Sequence, residues 1–177
     1  MPLSLHPRLR PWRDEDFAIF RAIHADPEIG YWLGGTLDED QARAAFARIR
    51  CRMDEHGWGM WAILDDADVP VGTAGLQAAR DNLPFAPAIE AAWRLRRGAW
   101  GRGYVTDAMR PILADGFQRV GLDEIVAFTS APNSRSQAVM QRLGFARDPA
   151  GDFDHPALAA DHPLRRHIFY RMAPPII

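Results

Sequence analysis

Apolar and polar positions alternate between two periods along this chain, and the places where the period switches mark out its elements. Leu9-Arg10-Pro11-Trp12 reads as a short first strand. The acidic run Arg13-Asp14-Glu15-Asp16 then suits the start of a helix that carries Phe17, Ile19, Phe20 and Ile23 and stops near Asp26-Pro27. After the aromatic-rich loop Tyr31-Trp32-Leu33-Gly34-Gly35, Thr36 with Glu39 reads as a capping box for a helix to about Met53. Gly57 to Leu64, with Trp58, Met60, Trp61 and Ile63, and Val69 to Leu76 predict an antiparallel hairpin around Asp65-Asp66. A loop from Ala78 to Pro87 leads into a fourth strand, Ala88 to Leu95.

From Gly103, helical spacing holds through Tyr104, Val105, Ala108, Met109, Ile112, Leu113, Phe117 and Val120, with Pro111 predicting a local kink and Gly121 the end. Ile125 to Thr129 is a fifth strand. Ala131-Pro132-Asn133-Ser134 opens a helix through Gln141, which Leu143-Gly144-Phe145 closes. A Pro/His/Asp loop from Asp148 to Pro163 precedes a last strand, Arg165 to Met172. Strands alternating with helices, plus an early hairpin, predict a mixed α/β sheet covered by helices, without internal repeats.

Composition narrows the options. At 177 residues and 47% hydrophobic side chains the chain can bury one good core, so a single domain spanning 1–177 is expected. A net charge of −2 supplies no basic field for nucleic acid or an anionic membrane. All 21 cations are Arg, which excludes a Schiff-base lysine and the lysine of a nucleotide-triphosphate P-loop. The single cysteine, Cys51, allows no intrachain disulfide. The opening Met1-Pro2-Leu3-Ser4-Leu5-His6-Pro7-Arg8 lacks an apolar core of signal-peptide length, so a cytoplasmic location is expected. His155, His162 and His167 have no companion Cys and irregular spacing, and no metal site is expected there.

The chemistry concentrates where the fourth strand ends. Trp100-Gly101-Arg102-Gly103-Tyr104 is a Gly-rich, Arg-studded turn opening a long helix, whose free N–H groups and dipole form a cradle for an anion. A phosphate-bearing cofactor is the first hypothesis. Dinucleotide binding is disfavoured, because no third glycine arrives in register and the cradle lies in mid-chain.

One strand further on stands Asn133-Ser-Arg-Ser136, running to Leu143-Gly-Phe145. With Glu90-Ala-Ala-Trp93-Arg-Leu, Trp100-Gly-Arg-Gly-Tyr104 and Thr106-Asp-Ala108, the chain resembles the GNAT superfamily of N-acetyltransferases, in its RimJ/RimL-type branch. Leu9-Arg-Pro-Trp12 with Asp16, His24-Ala-Asp-Pro27 and His167-Ile-Phe-Tyr170 extend the likeness over nearly the whole chain. Asp107 departs from the branch, which frequently has Glu there, and so does Pro111.

The resemblance implies a single-domain, mixed and mostly antiparallel sheet flanked by helices and splayed between strands 4 and 5, with acetyl-CoA as acyl donor. Backbone groups of Leu95 and Arg96 would meet pantetheine, and N–H groups from Gly101, Arg102, Gly103 and Tyr104 through Thr106 would hold the pyrophosphate. Arg96, Arg97 and Arg102 are either phosphate partners or solvated charges. Asn133 would bind the pantetheine amide in the family, and Asn equally favours a plain helix cap.

Acetyl transfer needs a neutral amine, a polarised thioester and a proton for the leaving thiolate. An α-amine has a pKa of about 8 and a lysine amine about 10.4, so a base or water must take a proton. Glu90 matches the strand position of that base in several family members; its other role would be to pair with a cationic substrate. A main-chain N–H near Leu95 would stabilise the oxyanion. Many members place a Tyr on the helix after the fifth strand as proton donor; here Ser136 stands in that region, either as donor or as a surface hydroxyl. Trp32, Trp93, His167 and Tyr170 are candidates for the acceptor side, with packing the alternative for the tryptophan in the early loop.

The leading expectation is acetyl transfer to a primary amine, on a protein N-terminus or a small molecule, in a direct ternary complex. A non-catalytic acyl-CoA sensor is the alternative. Dimers are common in the branch.

Overall fold

The computed structural model describes residues 6–174, so residues 1–5, part of the stretch read against a signal peptide, lie outside it. The chain divides into two compact units, Met1–Leu76 with Ala92–Ile112 and Gln77–Ala91 with Leu113–Ile177. Strands β3 (Pro70–Ala78) and β4 (Ile89–Leu95) and helix α4 (Tyr104–Gln118) each contribute to both.

In the first unit, β1 (Leu9–Arg10) pairs antiparallel with β2 (Met60–Leu64), Leu9 opposite Ile63, and β2 pairs with β3, Ala62 opposite Thr73. Helices α1 (Phe17–Ala25) and α3 (Glu39–His56) bring Phe20, Ile23, Ala45 and Phe46 against Trp12, Ala62 and Leu64. The aromatic rings meet edge to face, Trp12 to Phe20 at 5.2 Å and Phe20 to Phe46 at 5.0 Å, the arrangement their quadrupoles favour. Trp12 Nε1–H reaches Thr73 Oγ1 at 3.4 Å, so the indole enters this core with its polar atom partnered.

Two local expectations shift. The capping box of α3 is built by Asp38 and Gln41, not Thr36 and Glu39: Asp38 accepts from Gln41 N–H at 2.8 Å, and Gln41 Oε1 accepts from Asp38 N–H at 3.0 Å. Leu37 N–H donates to the His24 carbonyl at 3.0 Å, tying the segment around Thr36 to the end of α1 and delaying the helix start. A short helix α2 (Pro27–Tyr31) also follows the Asp26-Pro27 stop. Asp26 caps it by accepting from Glu28 and Ile29 N–H, and Pro27 suits the first helical position.

In the second unit, β5 (Ile125–Ser130) pairs antiparallel with β8 (Arg166–Met172), from Ile125 opposite Met172 to Ser130 opposite His167. Helix α5 (Ser134–Leu143) follows β5 and ends on Gly144 at φ +89°. The loop expected from Asp148 to Pro163 carries the two-residue strand β7 (Phe153–Asp154), and just before it stands another, β6 (Ala146–Arg147); both pair with β8. Beneath them Phe85, Phe128, Phe153 and Phe169 form an aromatic cluster.

The strand order is β1-β2-β3-β4-β5-β8-β6 with β7 on β8, a mixed and mostly antiparallel sheet as expected. The parallel pair β4/β5 is registered at Glu90 opposite Val126 and at no further position among the described residues, consistent with a splay between strands 4 and 5. Helix α4 continues through Pro111, whose missing N–H removes one helical bond without breaking the helix. Among the described residues no helix is long and apolar enough to cross a membrane.

Candidate active site

Register decides which side chains share a face. Arg96 N–H donates to Val71 C=O at 2.8 Å and Ala79 N–H to Ala88 C=O at 2.9 Å, which fixes β3 and β4 as antiparallel neighbours. The same register sets Gln77 directly across from Glu90. Directly opposed residues share a face with Cβ atoms about 4.5–5.5 Å apart, and Gln77 Nε2 indeed donates to Glu90 Oε1 at 2.5 Å. Glu90 is 8% exposed, an acidic side chain folded into the sheet face. Through β5 and β8 that face continues in the second unit to Val126, Phe128, Phe169 and His167.

His167 lies on the Glu90 face, as an acceptor-side residue requires, but it is packed into aromatic surroundings. Its ring stacks on Phe153 at 5.3 Å and stands 4.9 Å from His155. Burial pushes the His167 pKa down, against the pull of the Arg165 carbonyl; burial and then the neighbouring His167 and Arg80 do the same for His155. Tyr170 is a correction. Three residues further along β8 it projects to the opposite face, buried beneath the Arg147 guanidinium, so it cannot share one acceptor surface with His167. Trp93 is corrected for the same reason: side chains alternate along β4, which puts Trp93 on the other side of the strand from Glu90.

The far end of β4 forms the cradle. Arg97–Ala99 make one 3₁₀ turn, then Gly101 and Gly103 adopt φ +74° and +82°, conformations that side-chain-bearing residues resist. A Cβ at Gly101 would meet nothing within 4 Å, so the backbone angle and not crowding calls for glycine there. Asp107 N–H closes the first helical bond onto Gly103 C=O. The N–H groups of Tyr104, Val105 and Thr106 therefore form the open end of α4.

Of the three arginines nominated for phosphate, two are engaged elsewhere. Arg96 pairs with Asp65 at 3.2 Å and Arg97 with Glu28 at 2.8 Å. Arg102 is exposed and has no ion pair among the described residues. The backbone of Arg96 is also used, its N–H on Val71 and its C=O accepting from Ala99 N–H at 3.0 Å. Its expected pantetheine contact is thereby corrected: in an antiparallel pair the N–H that faces one neighbour cannot face the other. Leu95, one residue earlier, points its N–H to the side of β4 away from β3, while its carbonyl accepts from Trp100 Nε1–H at 2.7 Å.

Asn133 is the cap of α5. Its Oδ1 accepts from Ser136 N–H at 3.3 Å and its Nδ2 donates to Thr129 Oγ1 at 3.0 Å, so both ends of the amide serve the β5–α5 turn. Ser136 sits half-buried in the first turn of that helix. In the early loop Tyr31 is 51% exposed and meets Trp32 edge to face at 4.9 Å. No cluster of three metal-ligating side chains exists among the described residues.

Two contributors were not anticipated. Gln77 is one, visible in the sequence only as a polar residue ending the apolar run from Val71. The other is His24 on α1, whose Nε2 accepts from the Arg94 guanidinium at 2.6 Å while Nδ1–H donates to Phe20 C=O at 2.8 Å. A carbonyl only accepts and a guanidinium only donates, so these partners fix a neutral imidazole of one tautomer. Burial, and secondly the Arg94 charge, push its pKa down to about 4.

Comparison with known proteins bears on the family and the fold. The family profile of the acetyltransferase (GNAT) domain matches residues 7–146. The uncharacterized N-acetyltransferase p20 of Bacillus licheniformis is 25% identical over 143 residues, 79% of each chain. A GnaT-family acetyltransferase from Bordetella pertussis superposes with a TM-score of 0.76 at 27% identity, over 95% of this chain and 97% of that one. Salmonella typhimurium yncA, solved with its cofactor acetyl-CoA, gives a TM-score of 0.72 at 17% identity, over 93% and 92% of the two chains, a likeness of fold.

Proposed function

The chain belongs to the GNAT acetyltransferase family and is an N-acetyltransferase with acetyl-CoA as acyl donor, and from that premise we propose direct transfer to a primary amine in a ternary complex. The acceptor is a protein N-terminus or a small amine, the whole chain acts as one acetyl-CoA-binding domain of RimJ/RimL type, and the setting is the cytoplasm. The observation that carries this reading is the buried Glu90 carboxylate on the strand that ends in the Gly101–Gly103 cradle.

The residues present fit the donor. The open N–H groups of α4 suit a pyrophosphate, Gly101 and Gly103 allow backbone to come close, and Arg102 adds an uncommitted charge. Bound there, acetyl-CoA supplies an activated acetyl group. Leu95 N–H, facing away from β3, donates to the thioester oxygen and takes up its growing negative charge. Glu90, held by Gln77, accepts a proton from the acceptor's ammonium group, and the neutral amine that results attacks the thioester carbon. Ser136 O–H gives a proton to the departing thiolate and takes one in return from the nitrogen that has become bonded to the acetyl carbon, so no alkoxide is left, and Asn133 fixes the helix turn that carries this serine. His167, on the Glu90 face, borders the acceptor.

A thermal-shift titration with acetyl-CoA, desulfo-CoA, NAD and ATP tests the donor, since a ligand at 100 times its Kd adds about 2.7 kcal/mol of stability. Stabilisation by both CoA compounds alone is expected; stabilisation by NAD or ATP instead sinks the reading. In a thiol-release assay with an amine panel, Glu90→Gln should lose about 100-fold or more in kcat/KM. Wild-type turnover in that variant removes Glu90 from the role of base.

A further inference from the structure

Resting on the reading of Glu90 as base, we infer that Gln77 is its positioning residue, holding the carboxylate in one orientation and in the ionised form that accepts the amine proton. The contact follows from the backbone, because the β3/β4 register puts the two residues directly opposite each other on one face. At 2.5 Å from Gln77 Nε2 to Glu90 Oε1 it is a short hydrogen bond, and with the carboxylate ionised it is a charge-assisted one. An ionised carboxylate only accepts, so the amide must present its nitrogen, and the orientation of the Gln77 amide is set by its partner.

Chemistry gives this contact a purpose. Burial disfavours a charged carboxylate, and a neutral acid cannot take a proton. An N–H donated to the carboxylate favours the charged form, and glutamine is suited to the task because it carries no charge and does not titrate. A lysine or arginine opposite Glu90 would also favour ionisation, but its positive charge would repel an incoming ammonium. A glutamate there would place two carboxylates side by side and drive one of them neutral. β3 is otherwise apolar or small from Val71 to Leu76 apart from Thr73, whose hydroxyl donates to the Trp61 carbonyl. Gln77 is thus the polar side chain of β3 directed at Glu90.

The test uses the full chain labelled at glutamate carboxyl carbon. The Glu90 resonance is assigned by its loss in Glu90→Gln, and its pH titration is followed in wild type, Gln77→Met and Gln77→Glu. Methionine keeps the length of glutamine and removes the N–H. Loss of one charge-assisted donor should raise the Glu90 midpoint by about one pH unit, and Gln77→Glu should raise one carboxyl of the pair by about two or more. The acid limb of kcat/KM, measured with acetyl-CoA and with n-butylamine or an alanine-led tetrapeptide as acceptor probes, should move upward by the same interval. Desulfo-CoA affinity in Gln77→Met should stay near wild type, and the melting temperature at neutral pH should fall by only about 3–5 °C, the amount that a one-unit rise of the Glu90 midpoint itself brings, which separates positioning from a merely structural role.

A midpoint that stays within about 0.3 pH unit of wild type in both variants overturns the inference, as does an acid limb that ignores a shifted midpoint. Wild-type turnover by Glu90→Gln is a different result. It would overturn the assignment of the base while the Gln77–Glu90 titration remained as measured.

Discussion

Acidification should destabilise this protein in part through the imidazole of His24. His24 is 4% exposed, stacks on Phe20 at 4.0 Å, and is held neutral between the Phe20 carbonyl and the Arg94 guanidinium. Burial and the Arg94 charge lower its pKa from 6.5 to about 4. Below pH 6.5 the unfolded chain binds a proton at this ring that the folded chain refuses until pH falls to about 4. Stability is therefore complete above pH 6.5, declines through the window between the two values, and stays lowered beneath it. At about 1.36 kcal/mol for each pH unit of that window the full loss is on the order of 3 kcal/mol, and about 2.5 kcal/mol of it is reached at pH 4.5.

Other groups titrate in the same range, so the measurement is a difference. His24→Gln keeps a neutral acceptor near Arg94 and cannot take up a proton. Urea unfolding at pH 7 and pH 4.5 should show the wild type losing about 2.5 kcal/mol more than the variant, equivalent to about 5–10 °C in melting temperature for a chain of this size. Parallel losses in the two proteins would falsify the claim that burial holds this ring neutral.

Two further substitutions probe backbone and cradle. A Cβ at Gly75 would collide with the Gly59 carbonyl oxygen and lie 2.6 Å from Met60 Cα, both main-chain atoms, so Gly75→Ala should cost about 3 kcal/mol or more in urea unfolding. Gly98→Ala, with nothing within 4 Å, should stay within about 0.5 kcal/mol of wild type. Because Arg96 is committed to Asp65, Arg96→Ala should leave desulfo-CoA affinity within about twofold by calorimetry, while Arg102→Ala should weaken it about fivefold or more. Equal effects of the two would remove the distinction drawn between these arginines.

What the sequence disclosed was local chemistry. The cradle was legible because its glycines are needed where they stand, at two left-handed positions before a helix. The α5 start was legible because Asn133 caps through its own side chain. Features that depend on register were not. Gln77 and Glu90 are separated by a loop and meet only once β3 and β4 are aligned. Trp93 and Glu90 are both candidates by residue type, yet strand alternation sends them to opposite faces, and Tyr170 parts from His167 in the same way. Arg96 looked like a phosphate partner until β3 claimed its N–H and Asp65 its guanidinium. The strands β6 and β7, two residues each, are too short to carry a period at all.

The ion pairs that tie the elements together, Arg10 to Asp16, Arg96 to Asp65 and Arg97 to Glu28, all draw their positive charge from guanidinium groups. Acetyl-CoA is a reactive thioester that modifies neutral lysine amines without any catalyst's help, erasing their charge. Arginine, which stays protonated at any ordinary pH, presents almost no neutral nitrogen to such a reagent. Since all 21 Lys-or-Arg positions are arginine, the cationic side chains of this enzyme offer its own acyl donor no lysine amine to modify.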